Sequence, residues 1–274
     1  MAGEEPDRLG IGSVETAAAI LGALAEGGGQ MPLGALAEAA GMHRAKVHRY
    51  LISLTRTGLV AQPERNGAYS IGPSAISIGL AGLRRVDPIR IAYAALPELR
   101  DRVDETVFLA IWGDMGVTCI GLEESAHPVT LNIRVGSVLP FLSTAAGQVF
   151  AAYMPPARVD HFDEQDGKQS RRRPAVAVKL SRGERERLLR EVRERRLARV
   201  KGALFAGVNA MAAPIFDHKG GLSTVVGIMG RQETLDVAWD GDAARELGEF
   251  AERLSRQLGF AGTGVGRAVG DEVG

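Results

Sequence analysis

The strongest constraint on the fold is a basic segment that contains no acidic residue. It covers residues 42–58, MHRAKVHRYLISLTRTG, and no Asp or Glu occurs between positions 38 and 64. Val47, Leu51 and Leu54 recur at spacings of four and three, which predicts one apolar stripe along a helix. The residues that fall off that stripe are mostly cationic. A short helix with one buried face and one cationic face suits the major groove of DNA.

The neighbours of this helix favour a winged helix-turn-helix over a charged face that is simply solvated. Residues 33–40 predict a short helix with an apolar face, and Gly41 suits the left-handed turn after it. Residues 59–62 and 68–71 predict two strands around a turn with an Asn-Gly pair and Arg65 at its tip. A helix, a tight turn, a basic helix and a hairpin follow each other as in a DNA-binding winged helix.

The sequence therefore predicts specific binding to double-stranded DNA. Base readout needs donors such as Arg in the groove, and phosphate contacts need cations beside it. A small-molecule enzyme or sensor without specific DNA binding is the alternative class, and it leaves the basic helix and the wing unexplained. The predicted DNA contacts are Arg44, Ala45, Lys46, His48, Arg49 and Arg65.

Several separated runs resemble the isocitrate lyase regulator (IclR) family of bacterial transcription factors. The run SVETAAAILGALAEGGGQMPLGALAEAAGMHRAKVHRYLISLTRTGLV is similar to that family's DNA-binding domain, and VGSVLPFLSTAAGQVFAAYMP and GVNAMAAPIFDHKGG are similar to its effector domain. The resemblance covers about residues 13–260. It implies an α+β fold, with an N-terminal winged helix-turn-helix joined by a linker helix to a GAF-like effector-binding domain. It also implies a small-molecule effector.

This resemblance divides the chain into five parts. We expect a disordered tail over 1–12, the DNA-binding domain over 13–72 and the linker helix over 73–88. The effector-binding and oligomerisation domain follows over 89–260, and a second disordered tail covers 261–274. A single winged helix makes few contacts, so we expect a homodimer or homotetramer that reads a palindromic operator.

The resemblance also implies an effector pocket at the start of a helix of small residues. Aligned by motif, that helix start brings Ala145, Ala146 and Gly147, a loop brings Val200, and strands bring Ala210, Gly227 and Met229; Thr144 and Asn209 are the nearest neutral polar side chains. Most of these positions lack the donors that a small carboxylate needs, so we expect an apolar or aromatic effector. The alternative is a domain that has lost its ligand and only oligomerises. The chain departs from the family at Leu142, where His is common, and at Gln148, where Lys is common.

Composition sets the remaining expectations. Lys plus Arg and Asp plus Glu both number 33, so the distribution of charge rather than its sum suggests a partner. Cys119 is the one cysteine, which leaves no disulfide within a chain and suits a reducing cytoplasm. No catalytic motif, metal cluster or apolar run of membrane-spanning length occurs. We therefore expect a cytoplasmic protein that is not an enzyme and has no cofactor, no metal and no membrane partner.

Three further segments complete the predicted order of elements. Residues 129–135 alternate in polarity and predict a strand, while 161–173 form a polar segment that we expect to be a solvated loop. From residue 181, SRGERERLLREVRERR predicts a charged helix with a capping box formed by Ser181 and Glu184. Its basic residues alternate with glutamates, which indicates self-paired surface charge rather than a second DNA site.

Overall fold

The computed structural model describes residues 10–62, 67–83, 86–126, 133–170, 180–202 and 207–262. Contacts divide the chain into two compact units, Met1–Val86 and Asp87–Gly274. Within the part of the chain that the structure describes, no helix has the length and apolar character needed to cross a membrane.

The first unit contains four helices and a small antiparallel sheet among its described residues. Its helices and strands are α1 (Gly12–Glu26), β1 (Gln30–Met31), α2 (Leu33–Ala39), α3 (Arg44–Arg56), β2 (Val60–Ala61), β3 (Tyr69–Ile71) and α4 (Pro73–Leu83). The strand order is β1-β3-β2, so the predicted hairpin acquires a third strand. Fully buried Ile20, Leu24, Leu36, Val47 and Leu51 join α1, α2 and α3 in one core. This arrangement confirms the helix-turn-helix with its hairpin.

Glycines make the sharp changes of direction in this unit. Gly28 and Gly29 have φ angles of 83° and 80° after α1, and Gly41 has a φ of 61° between α2 and α3. Only a residue without a Cβ adopts such angles at little cost. Helix α1 begins at Gly12, and Ile11 occupies its N-cap position without a side-chain hydrogen bond.

The second unit is built on a five-stranded antiparallel sheet. Its elements are α5 (Pro88–Val103), β4 (Thr106–Gly113), β5 (Gly116–Glu123), α6 (Ala145–Ala152), α7 (Pro156–Ser170), α8 (Arg182–Arg195), β6 (Ala198–Lys201), β7 (Val208–Phe216), β8 (Leu222–Arg231) and α9 (Asp242–Gln257). The strand order is β5-β4-β8-β7-β6, so β4 and β7 flank the central strand β8. Helices α5 and α9 pack on the sheet, and α6 packs on β7 and β8.

Strand alternation divides this unit into two apolar layers. Ala212, Val225 and Met229 belong to the core cluster that includes α6, while their strand neighbours point to the opposite face. All eight residues of α6 are buried. Gly147 permits this close approach, since a Cβ there would lie 1.6 Å from the carbonyl oxygen of Phe141. The small residues of α6 therefore let the helix lie directly against its neighbours.

The structure of this unit differs from three predictions made from the sequence. The polar segment at 161–173 is not a loop over its described part, because residues 156–170 form α7. Within the predicted strand at 129–135, Ile133 and Arg134 have no regular structure and Val135 lies in a turn, while 129–132 lie outside the described residues. Val200, expected in a loop, lies in β6 and pairs with Ala210. The capping box of Ser181 and Glu184 and the helix after it are confirmed.

Candidate nucleic-acid interface and ligand cavity

Helix α3 turns one face into the core and the other toward solvent. Val47 and Leu51 are fully buried and Leu54 is 5% exposed, which anchors the helix on α1 and α2. The candidate DNA contacts on its N-terminal half are all exposed: Arg44, Ala45, Lys46, His48 and Arg49. The helix therefore presents a cationic surface over its first two turns. These are the turns that a recognition helix places against base edges.

The charge on this face has no internal counterpart. Among the described residues, no ion pair engages Arg44, Lys46 or Arg49. His43 occupies the N-cap position of α3 and makes no side-chain capping bond. The first-turn amides of a helix lack intrahelical acceptors, so this end remains open to an anion such as a phosphate. Arg65, predicted at the tip of the wing, lies outside the described residues.

The turn before α3 sets the direction in which this face points. The amide of Met42 donates to the carbonyl of Ala37 at 2.9 Å, and the amide of Gly41 donates to that of Glu38 at 3.0 Å. These bonds close the end of α2 and allow the chain to enter α3 after four residues. Leu36 and Ala37 of α2 then pack in the same core as Val47. The turn thereby holds the cationic face of α3 away from the core.

Helix α4 is apolar and yet unpacked. None of its eleven residues is buried. Ile76, Ile78 and Leu80 are 53%, 66% and 51% exposed, which is unusual for three large aliphatic side chains on one short helix. Large exposed apolar surfaces are common at sites where proteins contact other molecules.

The second unit contains an apolar cavity between α6 and the sheet. The empty space inside the cavity and its mouth is about 490 Å³. The centre of a water molecule can occupy about 40 Å³ of it. The larger figure includes open solvent, and the smaller one shows that the side chains line the space closely. The lining residues are Phe108, Ile133, Leu139, Ser143, Thr144, Ala145, Val200, Val208, Ala210 and Met229.

The structure brings together five of the nine predicted effector residues. Thr144, Ala145, Val200, Ala210 and Met229 line the cavity. These come from the N-terminus of α6 and from three strands, so the motif alignment selects residues that meet at one cavity.

The other four predicted residues lie outside the cavity lining. Ala146 and Gly147 pack inside the core around α6. Asn209 lies on the other face of β7, and its Nδ2 donates to the carbonyl of Leu235 at 2.9 Å. Gly227 lies behind Phe108, whose ring atom Cζ would be 2.2 Å from a Cβ at that position. Gly227 therefore makes room for a lining residue rather than lining the cavity itself.

Sequence reasoning missed Ser143, which is the polar residue of most interest in the lining. It is 2% exposed, and its Oγ has no hydrogen-bond partner among the described residues. Its neighbour Thr144 differs, because the Oγ1 of Thr144 donates to the carbonyl of Pro140 at 2.7 Å and accepts from the amide of Gly147 at 3.0 Å. In the sequence, Ser143 could be noticed by its position directly before Thr144, the N-cap residue of α6.

Other reactive groups have ordinary surroundings. Cys119 is fully buried in β5, and burial raises the pKa of its thiol, which disfavours the nucleophilic thiolate. No cluster of metal-ligating side chains occurs within the ranges that the structure describes.

Comparison with known proteins agrees with this arrangement. Residues 13–64 match the model of the IclR helix-turn-helix domain, and residues 81–256 match that of the bacterial transcriptional regulator IclR C-terminal domain. The chain is 26% identical over 238 residues to the DNA-binding transcriptional repressor YiaJ of Escherichia coli, covering 84% of this chain and 81% of that one. It is 28% identical over 253 residues to the glycerol operon regulatory protein of Streptomyces coelicolor, covering 91% and 97%.

A solved structure gives the same result. The crystal structure of Pseudomonas aeruginosa HmgR superposes with a TM-score of 0.81 at 36% identity, over 92% of this chain and all of that one. Both domain models, the curated relatives and the superposition point to one family of proteins. The chain belongs to the IclR family and is a DNA-binding transcriptional regulator of the IclR type.

Proposed function

We propose that α3 reads an operator through Arg44, Lys46, His48 and Arg49, with Ala45 facing the bases. The observation that carries this is the exposed cationic face without internal ion pairs. Arg is suited to bidentate contact with guanine, and a small residue such as Ala can contact a thymine methyl group. Arg65 of the wing would add a backbone or minor-groove contact.

The test is a gel-shift titration with labelled fragments of the DNA upstream of the chain's own coding sequence. We expect at least one fragment to bind at low salt, with an affinity that falls steeply as salt rises because bound cations release counterions. Binding of random DNA with equal affinity, or no shift at low salt, would contradict operator recognition.

We also propose that the protein binds this DNA as a homodimer held in part by α4. Support comes from the three exposed aliphatic side chains of that helix, which have no apolar neighbour that buries them within the described chain. A two-fold dimer would place two recognition helices on a palindromic operator and double the number of contacts.

Light scattering at micromolar concentration measures this directly. We expect a mass of at least twice the 29.1 kDa of one chain. Ile78→Glu should shift the mass toward the monomer, because a charge would then face the apolar contact. Met115→Glu is the matched control, since Met115 is 75% exposed in the β4–β5 turn of the other unit. A strictly monomeric wild-type protein would exclude the proposal.

We propose further that an apolar or aromatic effector occupies the cavity and changes operator affinity. The support is the chemistry of the lining, in which Phe108, Leu139, Val200 and Met229 supply apolar surface and no charged side chain of the described residues takes part. A two-carbon acid such as glyoxylate would lose its water there and gain few hydrogen bonds. The alternative is that this domain only oligomerises. A Tm that no small molecule changes would favour that alternative.

A further inference from the structure

The basic helix α3 carries one large aliphatic side chain on its solvent side. Ile52 is 43% exposed, and the other large aliphatic residues of the helix are buried. Within the described chain, Ile52 is not a member of the core cluster that joins α1, α2 and α3. Single apolar residues are common on protein surfaces, so the position of Ile52 on the helix is what gives it significance.

The helical repeat places Ile52 directly opposite the buried stripe. An α-helix has about 3.6 residues per turn, so residues at spacings of three and four share one side. The buried stripe consists of Val47, Leu51 and Leu54. The side farthest from it carries four exposed residues, which we call the outer stripe: Ala45, Arg49, Ile52 and Arg56. Ile52 therefore shares its side of α3 with two of the proposed DNA contacts.

Ile52 lies between the two arginines of the outer stripe. At a rise of about 1.5 Å per residue, it is about 4.5 Å along the helix axis from Arg49 and about 6 Å from Arg56. Neither arginine forms an ion pair within the described ranges. Two cations without acidic partners draw the outer stripe toward DNA, and Ile52 must then lie against it as well.

The chemistry of an aliphatic side chain restricts what it can face in the major groove. Ile52 has no side-chain donor or acceptor. Against the polar atoms of a base edge it would displace water without replacing the hydrogen bonds, which is costly. The apolar group that natural bases display in the major groove is the C5 methyl group of thymine. Contact with that methyl group removes apolar surface of both partners from water.

We infer that Ile52 recognises one thymine in each half-site of the operator by contact with its C5 methyl group. The thymine lies within one or two base pairs of the base that Arg49 contacts, since about 4.5 Å separates the two residues and base pairs are about 3.4 Å apart. This assignment deepens the proposed operator recognition and rests on it. It makes Ile52 a specificity-determining residue that the charge pattern of α3 does not reveal.

The experiment replaces thymine by uracil in the operator, one position at a time and symmetrically in both half-sites. Uracil lacks only the C5 methyl group and still pairs with adenine. Fluorescence anisotropy then measures binding of the full chain to each labelled operator, taken from the fragment that the gel-shift titration identifies. We expect a position at which the replacement weakens binding about fourfold per half-site, which corresponds to the burial of one methyl-sized group.

Ile52→Ala assigns that position to Ile52. The variant should bind the thymine operator less tightly than the wild type does, and should not distinguish thymine from uracil at that position. Ile52→Val keeps a branched apolar side chain and should retain most of the discrimination. The dependence of affinity on salt should be the same for Ile52→Ala and the wild type, because Ile52 contacts no phosphate.

Thr55→Ala is the matched control on the same helix. Thr55 is branched and exposed like Ile52, but it follows buried Leu54 and lies outside the outer stripe. This variant should distinguish thymine from uracil as the wild type does. Circular dichroism of all three variants should match that of the wild type, which shows that α3 is folded in each.

The outcomes separate this inference from the proposed function beneath it. If the wild type binds a specific fragment but tolerates uracil at every position, Ile52 reads no methyl group and operator recognition stands. The same conclusion follows if Ile52→Ala discriminates at every position as the wild type does, or weakens binding of the thymine and uracil operators by the same factor. If the wild type binds no fragment specifically, operator recognition and the role of Ile52 are both wrong.

Discussion

Helices α3 and α8 are both rich in arginine, but they use their charge in opposite ways. The sequence of α3, RAKVHRYLISLTR, contains no acidic residue, whereas α8, RGERERLLREVRER, alternates arginine with glutamate. In α8, Arg182 pairs with Glu186 at 3.0 Å and Arg195 pairs with Glu191 at 3.1 Å. Two of the six arginines of α8 thus pair within the helix, whereas no ion pair engages α3 among the described residues.

The two helix N-termini repeat this difference. The N-cap of α8 is Ser181, which forms a complete capping box with Glu184. The N-cap of α3 is His43, which makes no side-chain capping bond. A helix that caps itself gains local stability, and one that does not keeps its amides available for an anion. A count of basic residues alone therefore does not distinguish the two helices, whereas the acidic partners within α8 do.

The largest effect is expected when the charge of one arginine is reversed on α3 and, for comparison, on α8. Arg49→Glu should reduce operator affinity on the order of 100-fold or more, because a dimer loses one contact in each half-site at about 1–3 kcal/mol each and places acidic groups near phosphates. Arg190→Glu makes the same change at an exposed position of α8. It should leave operator affinity, measured by fluorescence anisotropy, close to that of the wild type. Equal losses from both variants would mean that α8 also contacts DNA.

The sequence was sufficient to predict the elements that this test depends on. The stripe of Val47, Leu51 and Leu54 located α3, and Gly41 located the turn before it. Such local patterns are informative because each depends on one helix and its own buried face. The charge pairing within α8 was predictable for the same reason, since its partners are four residues apart.

The cavity was harder to predict because its lining comes from separate elements. A shift of one residue along a strand moves a side chain to the other face, and this is why Ala210 lines the cavity while Asn209 does not. Ser143 was overlooked because nothing local shows that its hydroxyl lacks a partner. Helix α7 was expected to be a loop, since its polar residues show no apolar period. Its contacts with α8 join residues that are 22 and 25 positions apart in the sequence.

The ion pairs between α7 and α8 provide a second test of the contrast between α3 and α8, with a smaller expected effect. Arg185 of α8 is 14% exposed at its side chain and pairs with Asp163 of α7 at 2.7 Å and also with Asp160. Arg185→Ala should destabilise the second unit by about 1–2 kcal/mol, a figure between that of exposed ion pairs and that of buried hydrogen bonds to charge. Both tryptophans, Trp112 and Trp239, lie in this unit, so their fluorescence during urea unfolding reports its stability.

Arg190→Ala is the control for that measurement, because Arg190 is exposed on the same helix. It should change the free energy of unfolding by less than about 0.5 kcal/mol. Operator affinity should be unaltered in both variants if the charge of α8 serves only folding. An Arg185→Ala protein as stable as the wild type would show that the α7–α8 ion pairs contribute nothing.

The smallest expected effect concerns the cap of α8. Ser181→Ala removes the side chain that accepts from the amide of Glu184, and loss of such a cap typically costs about 0.5–1 kcal/mol. Ser53→Ala, an exposed serine inside α3, should cost less because it caps nothing. Urea unfolding followed by circular dichroism compares the two variants with the wild type at neutral pH.

The pH dependence of that difference identifies the cap as the cause. Hydrogen bonds from the Ser181 side chain, and then from its backbone amide, lower the pKa of Glu184 below its ordinary value of 4.5. A carboxyl group whose pKa is lowered by folding stabilises the folded state above its unfolded pKa, and this contribution disappears as pH falls through the folded pKa. The gap in stability between wild type and Ser181→Ala should therefore be full at neutral pH and should narrow below about pH 4.5. A gap that stays constant down to pH 3 would mean that the Ser181–Glu184 bonds do not stabilise α8, and that its N-terminus is as open as that of α3.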